Sequence, residues 1–326
     1  LPRTSILTRI NYCYDLRVFL DYLTRQTPAF QGRKPADLTA EDFSLVTTRD
    51  LNMYLEYLNL YEAERATRTN ENLGKKRKLS ALRTFYRFLH KDGYLKENVT
   101  ELIDMPKVHQ KPIVRLERTE VAQLLDSVES GDKLTGRQVQ YHRLTQTRDL
   151  ALMTLMLGTG IRISECVGLD IPDVDLAHNS FRVLRKGGDT AVLYFDDEVH
   201  EALAAYLEQR KRANALPGHE QALFLSIQNR RMTARAAQNL VKKYASGVTP
   251  LKKITPHKFR STFGTALYQE TGDIYLVADV LGHKDVNVTR RHYAAMSEEN
   301  RRLAAQSVRL RPERKQPPTP PPPQKP

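Results

Sequence analysis

A tyrosine near the C-terminal end of the chain stands among several basic residues. Tyr293 follows Arg290, Arg291 and His292 in the stretch LGHKDVNVTRRHYAAM. A tyrosine usually fills a core or donates a surface hydrogen bond, but nearby positive charge eases deprotonation of the phenol and makes it a nucleophile. The stretch therefore indicates either a structural tyrosine or a nucleophile that attacks a phosphate.

Four separate segments carry the other groups that phosphoryl transfer needs. GTGIRISE places an arginine after a glycine-rich turn, RKGGDT places a lysine at a hairpin tip, and HKFR and LGHKD add histidines and a second arginine. Arginine forks can hold the oxygens of a pentacoordinate phosphate, and histidines can donate or accept a proton near neutral pH. Such charges can substitute for a metal ion, so we expect neither a metal nor another cofactor. The candidate residues are Arg162, Glu165, Lys186, His257, Arg260, His283 and Tyr293.

Each of these residues taken alone has an ordinary alternative role. Tyr293 could belong to a core, His257 could cap a helix, and Arg162 could form a structural ion pair. Lys186 could be a solvated turn residue, with Arg185 beside it as a rival. Only the complete set, in this order and at these separations, distinguishes a catalytic site from these alternatives.

The ordered set resembles the tyrosine recombinase family (lambda integrase-like, Xer type). The resemblance spans roughly residues 5–310 and is strongest from Thr145 to Tyr293. It implies that Tyr293 attacks a DNA phosphate to give a 3′-phosphotyrosine, and that Lys186 protonates the leaving 5′ oxygen. It also implies that Glu165 supports the site by holding a catalytic arginine or histidine in place.

The composition favours a polyanionic partner. The 326-residue chain has a formal net charge of +13 and a pI near 9.6, which fits nucleic acid or an acidic membrane surface. No apolar run is long enough to span a membrane, and the first residues lack the apolar segment of a signal peptide. Cys13 and Cys166 lack the spacing of a zinc site or disulfide framework, which fits a reducing compartment. We expect a cytoplasmic, nucleoid-associated protein that binds double-stranded DNA and no membrane.

The elements that must position these groups divide into two domains. Helical periodicity without a convincing strand fills residues 1–103. The resemblance implies that this region is a helical core-binding (SAM-like) domain. A proline-bounded linker follows at 104–115. Residues 116–312 mix helices with a glycine-turn hairpin, as in a catalytic domain, and 313–326 predict a disordered proline-rich tail. The predicted fold class is mainly α with a small β-sheet in the C-terminal domain, arranged as in two-domain tyrosine recombinases.

The third helical segment, TNENLGKKRKLSALRTFYRFLHKDG, combines an apolar stripe with a basic face. It starts at a cap formed by Thr69 or Asn70 and ends at Gly93. A basic face can be merely solvated, but on a core-packed helix of so basic a chain it favours contacts with phosphates and grooves. The predicted DNA contacts are Lys75, Lys76, Arg77, Lys78, Arg83 and Arg87.

The predicted activity is site-specific recombination at inverted-repeat half-sites, in the form of Xer-like chromosome dimer resolution. The insertion at residues 130–149 resembles Xer-type recombinases that act without a paired partner. An integrase or transposase of a mobile element is the alternative within the family; a type IB topoisomerase, or a DNA-binding module with a relict site, lies outside it. The segment 297–310 predicts an exchange helix that joins a homotetramer on two DNA sites, which a topoisomerase does not need.

Overall fold

The chain folds into two units, each with its own hydrophobic core. In the computed structural model, the described residues are 5–63, 66–108, 114–185, 188–283, 285–286 and 289. Contacts divide the chain into Leu1–Lys111 and Pro112–Pro326, and the division falls inside the linker predicted at 104–115. Of the helices in these described ranges, none is both long and apolar enough to cross a membrane.

Three helices around an aromatic core make up most of the first unit. They are α1 (Ile6–Gln26), α2 (Thr48–Tyr57) and α3 (Asn72–Lys91). Helix α1 is capped by Ser5, whose hydroxyl accepts a hydrogen bond from the amide of Thr8 at 3.2 Å. Helix α2 begins with a capping box, in which Thr47 and Asp50 each accept the other's backbone N–H. Helix α3 buries the predicted apolar stripe, which consists of Leu79, Leu82, Tyr86 and Leu89.

A short hairpin in the first unit corrects the expectation that this part contains no strand. Strand β1 (Tyr61–Ala63) pairs antiparallel with β2 (Ala66–Arg68). Strands of three residues are too short to show alternation of apolar and polar positions, and β2 is exposed throughout. Tyr61 is buried in the core of the unit, but one buried residue makes no hydrophobic pattern that could mark the hairpin.

Part of the predicted basic face of α3 turns into the protein. Lys78 is buried, and its ammonium group lies 3.1 Å from the carboxylate of Asp15, which also accepts a hydrogen bond from Arg77. Arg83 donates to two backbone carbonyls in the segment after α3, and Lys75 is also buried. The expectation that all six basic residues face DNA is therefore corrected, because these contacts hold the unit together. The exposed basic residues of the set are Lys76, Arg77 and Arg87.

Removal of the buried carboxylate should destabilise the first unit. In Asp15→Ala, Lys78 would stay buried without its carboxylate, and breaking a buried ion pair from one side costs about 3–5 kcal/mol. Hydrogen exchange of the core amides of α1 and α3 in the full chain should report this loss. The control is Glu208→Ala, which removes one partner of the exposed pair with Lys211 and should change nothing measurable. Equal protection in the two variants would contradict the structural role of Asp15.

Seven helices and a three-stranded antiparallel sheet form the described part of the second unit. The helices are α4 (Arg118–Ser130), α5 (Arg137–Thr159), α6 (Ile163–Gly168), α7 (Asp197–Lys211), α8 (Ala234–Val248), α9 (Pro256–Thr271) and α10 (Ile274–Leu281). The strands, in spatial order, are β3 (Val174–Asp175), β4 (Ser180–Leu184) and β5 (Thr190–Tyr194). Strands β4 and β5 are the predicted hairpin, with Leu184 opposite Thr190. The predicted fold class, mainly α with a small sheet, is confirmed.

Helix α5 extends into the stretch read from sequence as an insertion. The insertion was placed at residues 130–149, but α5 already begins at Arg137. Its polar side chains find partners inside the unit: His142 Nδ1 lies 3.1 Å from the hydroxyl of Tyr244, and that hydroxyl donates to Asp149 at 3.0 Å. Burial raises the pKa of Tyr244, with Asp149 adding to the effect, so the hydroxyl keeps its proton. Three polar residues of this stretch, His142, Thr145 and Asp149, are therefore buried without an apolar pattern around them, whereas most of the stretch is exposed.

Candidate active site

Arg162 stands at the turn between α5 and α6. Gly160 ends α5 with a φ of +62°, and a Cβ at this position would come within 2.5 Å of the ring of Phe263. The guanidinium of Arg162 donates to Glu165 at 2.8 Å, and the same carboxylate accepts the backbone N–H of Arg162 at 3.0 Å. Glu165 thus contacts a candidate catalytic arginine, as the resemblance implied. Its side chain is nearly buried, so the contact is shielded from solvent.

Helix α9 carries the two residues of the HKFR motif. Pro256 is its first residue, a position where the missing N–H leaves no hydrogen bond unmade. His257 is exposed, whereas Arg260, three residues later, is only 6% exposed. Arg260 donates through Nη1 to the carbonyl of Gly160 at 2.7 Å and through Nη2 to the carbonyl of Leu281. Its orientation is therefore fixed by two other elements of the unit.

His283 follows the C-terminal end of α10. Gly282 takes the left-handed conformation with a φ of +59°, and the N–H of His283 donates to the carbonyl of Ala278 at 2.9 Å. The imidazole Nδ1 lies 2.6 Å from the hydroxyl of Thr289. This contact orients the ring, and the turn sets the position of its backbone.

Three arginines meet at the C-terminal end of α10. The acceptors are the consecutive backbone carbonyls of residues 279–282: Arg185 donates to the first two at 3.2 and 3.0 Å, Arg260 to the third, and Arg162 to the fourth at 2.9 Å. The last carbonyls of a helix lack partners within it and carry the negative end of its dipole. The positive charges of three elements are thereby brought to one place.

Two clefts open beside this cluster. One, of about 580 Å³, is lined by Arg162, Arg185 and His283, and also by Asp189 and Thr190 from the far side of the hairpin. The other, of about 790 Å³, is lined by His257 and by several basic residues, namely Arg235, Lys242, Lys252 and Lys253. Of the predicted residues, Arg162 and His283 border the first cleft and His257 borders the second, so the set does not line one closed pocket.

The basic residues of the second cleft, and the role of Arg185, were not recognised from the sequence. Arg185 was considered only as a rival to its neighbour. On α8, polar side chains recur at positions 235, 238, 239 and 242, which is the spacing of one helix face. That spacing on α8 could have predicted the basic residues of the cleft. The contacts of Arg185 join residues almost a hundred positions apart, so they leave no local pattern in the sequence.

The donors gathered here are suited to an anion. Within the described ranges, no three His, Cys, Asp or Glu side chains lie close enough to hold a metal ion. Guanidinium groups present planar sets of N–H donors that match phosphate oxygens. Next to Glu165, burial raises the pKa of the Cys166 thiol, and the neighbouring carboxylate adds to this, so Cys166 is a packing residue and not a nucleophile.

Several predicted functional residues lie outside the described ones. These are Lys186, which directly follows Arg185, and Tyr293. The predicted exchange helix at 297–310 and the tail at 313–326 lie there too. Of the candidate set, the structure brings Arg162, Glu165, Arg260 and His283 together, with His257 on the same helix as Arg260.

The family of the chain follows from comparison with known proteins. Residues 115–300 match the phage integrase family, and the chain belongs to that family. The chain is 30% identical over 309 residues to tyrosine recombinase XerS of Streptococcus pyogenes serotype M6, covering 87% of this chain and 86% of XerS. It is 28% identical over 294 residues to tyrosine recombinase XerC of Chlorobaculum tepidum, covering 87% of this chain and 84% of XerC.

A solved structure shares the fold. XerH site-specific recombinase, bound to difH substrate in a pre-cleavage complex, has a TM-score of 0.65 with 18% sequence identity, covering 91% of this chain and 78% of the XerH chain. With the family match, this confirms the predicted class: the chain is an Xer-type tyrosine recombinase, an enzyme that recombines DNA at specific sites.

Glycine at position 282 should be required for the arginine cluster. In Gly282→Ala, the new Cβ would overlap the guanidinium of Arg185, and the positive φ would add about 1–2 kcal/mol of backbone strain. The matched control is Gly272→Ala. Gly272 caps the end of α9 with a φ of +65°, and an added Cβ there would meet open space, so only the backbone strain applies. Hydrogen exchange in α10 should increase far more in Gly282→Ala than exchange in α9 does in Gly272→Ala. Similar increases would show that close packing against Arg185 is unimportant.

Proposed function

We propose that the chain cuts and rejoins duplex DNA through a 3′-phosphotyrosyl intermediate on Tyr293, and that this activity resolves chromosome dimers. The observation that carries the proposal is the convergence of Arg162 and Arg260 on the turn that bears His283. Two arginines fixed by backbone carbonyls form a rigid positive site next to a histidine, which suits a phosphate in transfer. The relatives named for the same activity, XerS and XerC, support this assignment.

The proposed chemistry is a direct displacement at phosphorus. The Tyr293 oxygen forms a bond to the phosphorus as the bond to the 5′ oxygen breaks, and Lys186 gives a proton to that leaving oxygen. One of the two histidines, His257 or His283, accepts the phenol proton. The arginines stabilise the added charge on the non-bridging oxygens, and a preorganised donor of this kind is typically worth about 3–4 kcal/mol. Rejoining is the reverse displacement by another 5′ hydroxyl.

Both units contribute DNA contacts in this proposal. In the first unit, the exposed residues Lys76, Arg77 and Arg87 can reach phosphates, whereas the buried members of the predicted set cannot. In the second, the cleft beside His257 supplies four basic residues along α8 and the loop after it. Each phosphate neutralised releases counterions, so affinity is expected to fall steeply with salt. The partner is double-stranded DNA with inverted-repeat half-sites, bound in the cytoplasm at the nucleoid.

Loss of the Tyr293 hydroxyl should abolish covalent attachment without abolishing binding. The wild-type chain is incubated with randomised duplexes containing scattered nicks, which trap the adduct by letting the short 5′-hydroxyl fragment diffuse away. Adducts stable to detergent are then isolated and sequenced to define the site. On that duplex, Tyr293→Phe should bind normally and form no adduct. The matched control, Tyr275→Phe, alters an exposed tyrosine on α10 and should react like wild type. An adduct with Tyr293→Phe would exclude Tyr293 as the nucleophile.

The proposed assembly is a homotetramer on two DNA sites, joined by the segment 297–310. A short amphipathic segment is only marginally helical alone, so it would need a groove on a neighbouring subunit to become ordered. Passing it around four subunits would close a ring, which suits an enzyme that holds two duplexes.

Truncation should separate this role from that of the tail. Deletion after residue 296 should leave binding to one half-site near normal but abolish assembly and recombination, because the subunits lose their connection. Deletion after residue 312, which removes only the proline-rich tail, is the control and should recombine normally. Gel-shift and two-site recombination assays measure both. Recombination at the full rate after the longer deletion would mean that the segment is dispensable.

A further inference from the structure

Arg185 stands where the β4–β5 hairpin begins its turn. Its backbone N–H donates to the carbonyl of Asp189 at 2.8 Å, which continues the pairing of the two strands by one step. The N–H of Gly188 donates back to the carbonyl of Arg185 at 3.1 Å and closes the turn. The next residue in the chain is Lys186, which is joined to Arg185 by a peptide bond. Any displacement of Arg185 is therefore passed directly to Lys186.

The described end of the hairpin has little hydrophobic anchorage. Val183 is buried, but Leu184 is 70% exposed, and Gly188, Asp189 and Thr190 are exposed as well. Beyond Val183 the strands therefore leave the core of the unit. Burial alone cannot hold this end of the hairpin in one position, because too little apolar surface is removed from water there.

The side chain of Arg185 supplies an attachment at this end. Its guanidinium donates to the carbonyls of Asp279 at 3.2 Å and Val280 at 3.0 Å, in the last turn of α10. A fork that spans two adjacent carbonyls fixes direction as well as distance. Gly282 permits the close approach, since any Cβ there would overlap the guanidinium. The hairpin is thus fastened to the turn that carries His283 and accepts from Arg162.

We propose that Arg185 is a positioning residue for cleavage: by binding the C-terminal turn of α10, it holds Lys186 at the phosphate site formed by Arg162, Arg260 and His283. This inference rests on the proposed role of Lys186 as general acid. Lysine has a long flexible side chain, so its ammonium group reaches the leaving oxygen consistently only if its backbone is held. Arg185 itself transfers no proton in this proposal; its part is to hold the backbone next to it through the two helix carbonyls to which its guanidinium donates.

The role of Arg185 can be separated from a general structural role by changing the leaving group. A duplex with sulfur in place of the 5′-bridging oxygen expels a thiolate, which needs no proton, so general-acid catalysis becomes unnecessary. The probe is the site recovered from the randomised pool, made with the normal phosphate or with the bridging sulfur. Single-turnover rates of adduct formation are measured on both for the full chain and its variants. Those variants are Arg185→Ala, Lys186→Ala and Arg182→Ala.

Substitution of Lys186 and substitution of Arg185 are expected to slow the phosphate substrate and to be restored by the sulfur substrate in the same way. Lys186→Ala should be slowed by about 10²–10⁴-fold on the phosphate and largely restored on the sulfur substrate. Arg185→Ala should show the same pattern with a smaller defect, about 10–100-fold, because it misplaces the acid without removing it. Arg182→Ala removes an equal charge from an exposed position on the same strand and should be unaffected on both substrates.

The possible failures are distinguishable. If Lys186→Ala is restored by sulfur and Arg185→Ala is not, Lys186 remains the acid and the positioning role of Arg185 is wrong. If Lys186→Ala is not restored, the proposed acid is wrong, and the inference about Arg185 fails with it. An Arg185→Ala rate equal to wild type on the phosphate would also overturn the inference. Should Arg185→Ala not fold, Arg185→Gln keeps one amide donor for a helix carbonyl, and the same restoration by sulfur decides the question.

Discussion

The arrangement of the second unit depends on the carbonyl groups at the end of α10. A helix leaves its last carbonyls without partners, and burying them unpaired would cost free energy for each. Here guanidinium groups from the α5–α6 turn, from β4 and from α9 satisfy the carbonyls of residues 279–282. Because each arginine comes from a different element, these hydrogen bonds connect three elements to the end of a fourth. The geometry of the candidate site is a consequence of this packing.

Arginine side chains donate to backbone carbonyls elsewhere in the chain too, and this affects how the net charge is interpreted. Arg231 donates to the carbonyls of residues 167–169 at the end of α6, at 3.2, 2.9 and 2.9 Å. Arg210, which is buried, donates to carbonyls in the segment 213–222, and Arg83 does so in the first unit. The net charge of +13 therefore does not say which basic residues meet DNA, since several arginines are held inside their unit by backbone carbonyls. The excess indicated a nucleic-acid partner correctly but could not say which residues meet it.

Sequence reasoning succeeded where function or periodicity leaves a fixed pattern. The hairpin of β4 and β5 follows from strand alternation around glycines. The candidate residues come from an ordered set of motifs and stay predictions, although the structure brings Arg162, Glu165, Arg260 and His283 together. It failed where the deciding contact is distant in sequence: the pairing of Lys78 with Asp15 turns part of the predicted basic helix face into the unit. Asp149 and His142 in the stretch 130–149 are a related case, because partners on α8 bury them, and polar residues are taken for surface residues when such partners are unknown.

Arg162 and Arg260 donate to different kinds of acceptor, and this difference bears on phosphate binding. Arg162 is held by the carboxylate of Glu165 as well as by a carbonyl, so part of its field is offset by a full negative charge. The partners that orient Arg260 through Nη1 and Nη2 are the carbonyls of Gly160 and Leu281, which are dipoles without net charge. A carbonyl can therefore fix a guanidinium while leaving most of its charge to act on a ligand. On this argument the Glu165 carboxylate lowers the attraction that Arg162 exerts on an anion and gives its guanidinium a more rigidly defined direction in return.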